Sequence, residues 1–180
     1  MDPMKPKPRL ATVWLGGCSG CHMSFLDMDE NLIDLAGKVK LGASPLTDFK
    51  DFPPADITLV EGAVANEENL ELIRLVRERT QTLVSFGDCA VTGNVTAMRN
   101  CCPVEAVIGR SYVENATISL GRPSLSGVVP ALLERALPVH EVVKVDYFLP
   151  GCPPPAGDIL ELLSDLLEGR APELEGKKFG

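Results

Sequence analysis

Apolar and polar positions along this chain follow two alternating rhythms. Residues 9–15, Arg-Leu-Ala-Thr-Val-Trp-Leu, form a short β-prone apolar run closed by Gly16 and Gly17. Such a run reads as a strand covered on both faces. Asp56-Ile57-Thr58-Leu59-Val60-Glu61, closed by Gly62, reads the same way, as do residues 82–86 and 142–148; residues 39–41 read as a shorter strand. Between these runs the spacing lengthens to that of helices. One helix is expected over 22–35, with Gly37 as its stop. Asn66 is placed to cap another, with Glu67 and Glu68 in its first turn, where the helix dipole favours anions. Leu72, Ile73 and Val76 give that helix its apolar face, and Arg74, Arg77 and Arg79 occupy its later half. The last expected helix, 155–167, carries a wide stripe of Ile159, Leu160, Leu162, Leu163, Leu166 and Leu167 that should pack on the sheet, and it stops at Gly169.

Strands alternating with helices define an α/β domain on a parallel sheet. Right-handed crossovers then place helices on both faces. A chain of 180 residues is long enough for one domain with its own core. The expected organisation is a single domain over 1–180, with a proline-rich arm at 1–8 and an exposed tail at 170–180. Residues 45–54 read as loop. Residues 99–140, interrupted by Pro103, Gly109, Gly121, Pro123, Gly127, Pro130 and Pro138, read as a long irregular connection suited to an interaction surface.

Charge and composition exclude several functions. A net charge of −8 argues against a surface for nucleic-acid phosphates, and 5% aromatics leave no stacking platform for single strands. No apolar run approaches the roughly 20 residues that span a bilayer, so no membrane partner is expected. The N-terminus lacks the apolar stretch of a secretory signal and has no twin arginine. A cytoplasmic protein is therefore expected, and reducing conditions there disfavour structural disulfides. Six cysteines in that setting point to metal or redox work. The sequons at 94–96 and 115–117 carry no meaning in that compartment.

The placement of four cysteines changes the picture most. Cys18 and Cys21 lie in Gly-Gly-Cys-Ser-Gly-Cys, Cys89 in Phe-Gly-Asp-Cys-Ala, and Cys152 in Pro-Gly-Cys-Pro-Pro-Pro. Each follows a predicted strand, and residues just past the strand ends of an open parallel sheet gather along one edge, where ligands bind. Four thiolates there suit an iron–sulfur cluster. A thioredoxin-like redox pair and a zinc site remain open on spacing alone, although zinc sites often use two short-spaced pairs and here the second half is split.

Cys-Ser-Gly-Cys-His-Met-Ser-Phe-Leu-Asp, Val-Glu-Gly-Ala-Val, Gly-Asp-Cys-Ala-Val-Thr-Gly-Asn and Leu-Pro-Gly-Cys-Pro-Pro together resemble, in order, the cluster motifs of nickel–iron hydrogenase small subunits. They are most similar to the short small subunit of soluble bidirectional NAD-reducing hydrogenases. The resemblance implies a flavodoxin-like fold and one [4Fe–4S] cluster held by Cys18, Cys21, Cys89 and Cys152, proximal to a NiFe site on a separate large subunit. Electrons would pass to a diaphorase module bearing iron–sulfur groups and FMN, which reduces NAD. Longer small subunits carry a second cluster-binding domain, for which this chain has too few unassigned cysteines. The quinone-reductase subunit of complex I shares the fold and the late Gly-Cys-Pro-Pro motif but has adjacent cysteines in its first motif. This chain has a two-residue gap there, which favours hydrogenase. A small subunit of an F420-reducing or energy-converting hydrogenase, a complex I-like quinone-reductase subunit, and a zinc-stabilised interaction module without redox work remain the alternatives.

Other residues carry secondary expectations. Glu61 ends a strand at the cysteine edge and reads either as a proton-relay or subunit-interface carboxylate, which the resemblance supports, or as a solvated strand-end acid. His22 is expected in hydrogen bonding or interface packing rather than as a ligand, and His140 in no special role. Trp14 is expected beside the cluster loop. Asp88 is expected to cap the turn before Cys89, and Thr92, Gly93 and Asn94 to shape the helix after it. Cys101 and Cys102 are expected as small, semi-buried packing residues. A flavodoxin's phosphate loop would sit where Gly-Gly-Cys-Ser-Gly-Cys lies, so no FMN is expected on this chain itself.

Overall fold

The computed structural model describes residues 6–47, 51–115, 117, 121–122 and 127–180. The expected arm 1–8, the loop 45–54 and the connection 99–140, with its Pro123, fall partly outside them, as does the centre of the second sequon. β1 (Arg9–Trp14) leads to α1 (Gly20–Leu26), α2 (Asn31–Lys38) and the short β2 (Lys40–Leu41). β3 (Ala55–Glu61), β4 (Val64–Asn66), α3 (Glu67–Arg79) and β5 (Thr80–Phe86) follow. Then come α4 (Asp88–Thr92), α5 (Asn94–Ala97), a 3-10 turn at Met98–Cys101, α6 (Val104–Gly109) and a wider turn at Arg110–Glu114. β6 (Leu132–Leu137), β7 (Tyr147–Leu149) and α7 (Ala156–Leu167) complete the order.

Five strands form one parallel sheet in the order β2-β1-β3-β5-β7, and β4 and β6 form a separate antiparallel ribbon. Counting only the five sheet strands, this is the flavodoxin-like order, whose switch point lies beside β1 and β3. Successive strand residues face opposite sides, as the pleat requires. Leu10, Leu59, Val84, Phe86 and Leu149 pack beneath Phe25, Leu35, Ile159, Leu162 and Leu163 of α1, α2 and α7. Ala11, Val13, Val60 and Leu83 pack on the other face against Ile73 and Val76 of α3. Helices therefore cover both faces. Fully burying a side chain such as Phe86 contributes about 1.5–3 kcal/mol.

Asn66 caps α3 as expected: its side chain accepts from the Asn69 amide at 2.7 Å. Three elements differ from the expectation. The helix expected over 22–35 is two helices, divided by a turn at 27–30 in which Asp29 takes φ 50°, and α2 runs through Gly37 to Lys38. The strand expected over 142–148 contracts to Tyr147–Leu149. Val142, Val143 and Val145 instead pack from a turn onto the α3 side of the core. The connection 99–140 contains α6 and β6. No helix is long and apolar enough to cross a membrane among the described residues.

The tail 170–180 is largely exposed but anchored. Leu174 packs on the α7 side of the core. Lys177 Nζ donates to Asp158 at 2.8 Å and Glu161 at 2.7 Å, and the Gly180 amide donates to Asp88 Oδ2 at 2.8 Å.

Candidate metal centre

The carboxyl ends of β1, β3, β5 and β7 converge on one cavity of about 50 Å³. It is lined by Cys18, Gly20, Cys21, Glu61, Asp88, Cys89, Gly151, Cys152 and Pro153. All four cysteines singled out from the sequence meet there, and none is in a disulfide. A second depression, about 1510 Å³ and open to solvent, lies at the opposite, amino-terminal edge of the sheet. Two of its arginines are spent on backbone carbonyls: Arg9 on Pro54 O and Arg79 on Phe52 O, both at 2.7 Å. It holds no comparable group of cysteines.

Each cysteine loop is fastened before it reaches the cavity. The amide of Leu15 donates to Glu61 O at 2.8 Å, and Gly16 and Ala63 exchange amide bonds at 2.8–2.9 Å. These bonds tie the loop after β1 to the end of β3. Gly62, at φ 89°, allows this close approach, since a Cβ there would lie 2.9 Å from the Leu15 carbonyl carbon. The Cys152 loop is bound to the Cys89 loop by Gly87 N–H on Leu149 O at 2.8 Å and Asp88 N–H on Gly151 O at 2.9 Å. Ser24 Oγ donates to Pro154 O at 2.5 Å and joins α1 to the same loop.

Gly87 shows how tightly the sulfurs are cradled. Its φ is 83°, and a Cβ placed on it would sit 2.2 Å from Cys21 Sγ. Around the sulfurs stand hydrogen-bond donors: the Gly20 amide on Cys18 Sγ at 3.4 Å and Asn94 Nδ2 on Cys152 Sγ at 3.5 Å. Burial pushes the Cys21 thiol well up, helped by the charges of Glu61 and of the other three cysteines. Cys89 is also pushed up by burial, against hydrogen bonds from Thr96 and the Val95 amide. Ionising four such sulfurs in one small cavity requires positive charge among them. That donor set, with its glycine-lined walls and N–H groups, fits an iron–sulfur cluster. Among the described residues no three His, Cys, Asp or Glu side chains converge on one point able to hold a single ion.

Glu61 is 1% exposed, so the reading as a solvated strand-end acid is corrected. Its Oε2 accepts from the His22 amide at 3.0 Å and meets His22 Nδ1 in a short contact, and its Oε1 accepts from the Cys21 amide at 3.4 Å. His22 is equally buried, packs edge-on to Phe86, and leaves Nε2 without a hydrogen-bond partner among the described residues. Trp14 is half exposed, with its indole nitrogen beside Gly17. Asp88 makes no cap at the start of α4. Its Oδ1 accepts from the Gly151 amide at 2.6 Å instead, because the buried side chain faces the neighbouring loop. Gly93 ends α4, and Thr92 Oγ1 donates to Asp88 O at 2.9 Å. His140 is exposed and packs edge-on to Phe148. Cys101 and Cys102 are both exposed, not semi-buried, because the 3-10 turn carries them outward. Sequence reasoning missed the contacts of Asn94 and Thr96 with the sulfurs. Their signal was only their place five and seven residues beyond Cys89, in the next short helix.

The family model for the NADH ubiquinone oxidoreductase 20 Kd subunit matches residues 18–166. The chain is 44% identical to the NAD-reducing hydrogenase HoxS subunit delta of Cupriavidus necator, over 94% of this chain and 86% of that one. It is 36% identical to an F420-non-reducing hydrogenase component from Methanothermobacter marburgensis, over 95% of this chain but only 57% of that longer relative. A solved NAD+-reducing [NiFe]-hydrogenase in the H2-reduced state contains a chain that superposes with a TM-score of 0.90 at 44% identity, covering 94% of this chain and 96% of that one. A [NiFeSe]-hydrogenase chain from Dm. baculatum shares the fold at a TM-score of 0.59 and 18% identity. Matched from its first cavity cysteine to the end of its last long helix, the chain belongs to the family of the NADH ubiquinone oxidoreductase 20 Kd subunit and is homologous to the small subunit of NAD-reducing [NiFe] hydrogenase.

Proposed function

We propose that this chain is the electron-transfer small subunit of a cytoplasmic hydrogen:NAD+ oxidoreductase, with Cys18, Cys21, Cys89 and Cys152 holding one [4Fe–4S] cluster. The observation that carries the reading is four cysteines from strand-end loops lining one cavity. Zinc would draw its ligands to a single ion at about 2.0–2.3 Å. Four sulfurs brought to one cavity by three separate loops suit a group that spreads its ligands over several metal atoms. When bound, the cluster supplies one-electron storage between a NiFe site on a large subunit and a diaphorase module carrying FMN and NAD. The chain's own residues do the rest: glycines admit the sulfurs, amides and Asn94 donate to them, and Asp88 holds two loops in register. Glu61 is assigned a proton-carrying role at Oε2, where it meets His22 Nδ1.

The test is anaerobic purification of the full chain with the subunits that accompany it, followed by iron, sulfide and zinc analysis. A brown protein that dithionite bleaches, and whose hydrogen-dependent NAD reduction tracks its iron, supports the reading. A colourless protein holding one zinc overturns it. The 36% identity to an F420-non-reducing hydrogenase favours one second reading, a hydrogenase with another electron acceptor. Hydrogen-driven reduction of other acceptors but not of NAD selects it and leaves the cluster assignment standing.

A further inference from the structure

Cys101 and Cys102 stand outside the cavity and have no part in the function proposed above. Cys101 closes the 3-10 turn Met98–Cys101, and Cys102 follows in extended conformation at φ −126° and ψ 145°. Both side chains are exposed, and their sulfurs lie 3.7 Å apart. The turn beneath them is held firmly. Arg99 donates to Leu133 O at 2.8 Å and Ala65 O at 3.1 Å, and Asn100 exchanges two 2.8 Å bonds with the backbone of Ala136. Pro103 follows immediately as the N-cap residue of α6. The two thiols are thus presented to solvent, side by side, from an anchored turn.

We propose that Cys101 and Cys102 form a vicinal dithiol that oxidises reversibly to a disulfide between neighbouring residues, by exchange with a small external disulfide. One thiolate attacks the external disulfide, forming a mixed disulfide and expelling one small thiolate. The second sulfur then attacks the protein sulfur of that mixed disulfide, closes the ring and expels the other small thiolate. The two protons released by the cysteines end on the two small thiols, so two thiols and one disulfide become one disulfide and two thiols. The hydrogen bond and charge of Cys101 push the Cys102 thiol up. Neighbouring Cα atoms are about 3.8 Å apart, below the roughly 4.4–6.8 Å usual for a disulfide. The ring is therefore strained, and strained, exposed disulfides are the labile ones. Met98 O, which accepts from Cys101 Sγ at 3.1 Å, loses that donor on oxidation.

The experiment treats the full chain, purified anaerobically with its accompanying subunits, with oxidised glutathione, then alkylates and digests it for mass spectrometry. The expected result is a peptide spanning 101–102 that has lost two hydrogens and both alkylation sites, and that recovers both after a mild thiol. In Cys102→Ser the same treatment should leave a mixed adduct on Cys101. Two thiols still open to alkylation after the oxidant, or a stable mixed adduct on the unsubstituted chain, overturns the proposal. The readout sits on this peptide alone, so it stands or falls independently of whether the cavity holds iron.

Discussion

Asp88 and Gly151 hold each other from both ends: the Asp88 amide donates to Gly151 O at 2.9 Å, and Asp88 Oδ1 accepts from the Gly151 amide at 2.6 Å. This reciprocal pair makes one rigid unit of the loops carrying Cys89 and Cys152. Asp88 Oδ2 also accepts from the Gly180 amide, bringing the tail against the same unit. In Asp88→Ala two amides lose their acceptor in a largely buried place. The expected cost is about 2–4 kcal/mol in unfolding free energy. Asp88→Asn keeps one carbonyl oxygen and should cost less. Denaturant melts and iron content check this. An Asp88→Ala protein with unchanged stability and full iron would mean that the clamp is dispensable.

Glu61 sits under the Cys21 loop with two amides donating to its carboxylate and His22 Nδ1 in short contact with Oε2. Glu61→Ala leaves two amides without an acceptor and His22 Nδ1 without its partner, and should destabilise by about 2–4 kcal/mol. Glu61→Gln keeps one oxygen, for the His22 amide at 3.0 Å, gives up only the longer 3.4 Å bond from the Cys21 amide, and carries no carboxyl proton to transfer. It should retain iron and melt near the parent, while hydrogen-linked turnover falls. Measuring turnover per iron separates the two effects. Equal turnover in Glu61→Gln would remove Glu61 from the proton path and leave it a structural acceptor.

Gly87 and Gly157 form a matched contrast. At Gly87 the positive φ alone costs a side chain about 1–3 kcal/mol, and the new Cβ would press on Cys21 Sγ. Gly87→Ala should therefore lose most of its iron. Gly157 lies in α7, where a Cβ meets nothing within 4 Å. Gly157→Ala should stabilise by about 0.4–1 kcal/mol, through the narrower unfolded ensemble and the better helix former. Iron analysis and thermal melts of both variants, side by side, decide this. Full iron in Gly87→Ala would contradict the cradle.

The centre of the sheet was legible because β1, β3 and β5 are largely buried on both faces and are therefore mostly apolar and β-branched, with Thr12, Thr58, Glu61, Thr80 and Ser85 as their buried polar residues. β6 was not, since only Ala136 of Leu132–Leu137 is buried and no alternation is imposed on the rest. The break between α1 and α2 was hidden for a different reason. Met28, in the connecting turn, is itself in the core and keeps the apolar spacing of a continuous helix. At the centre, the cysteines were legible through the glycines beside them. The work of Asp88 was not, because its partners lie 63 and 92 residues away and are backbone amides, which leave no mark in a sequence. The burial of Glu61 was hidden in the same way: its carboxylate is enclosed by the amides of Cys21 and His22, about forty residues earlier in the chain.

A pH-dependent contribution follows from Asp146, at the approach to β7. Its Oδ2 accepts from Arg77 Nη1 at 2.7 Å and from the Leu83 amide at 2.9 Å, while its own amide donates to Leu83 O at 2.9 Å. Partial burial works against the charged form, but the Leu83 N–H and the Arg77 and Lys144 charges outweigh it and hold the carboxyl below its ordinary value. A carboxyl with a lowered folded pKa stabilises the protein above its unfolded pKa, and the contribution is lost as pH falls through the folded value. At neutral pH, Asp146→Ala should lower stability by about 1–2 kcal/mol, since the pair is partly screened by solvent. As pH falls below the ordinary carboxyl value of about 4 the unfolded chain takes up the proton first, and the gap between the two proteins should narrow until the folded carboxyl is protonated at lower pH. Denaturant titrations of both at pH 7 and in the acid range test this. A gap that stays constant across that range would show that the Arg77–Asp146 charge pair contributes nothing to holding β7 on the sheet.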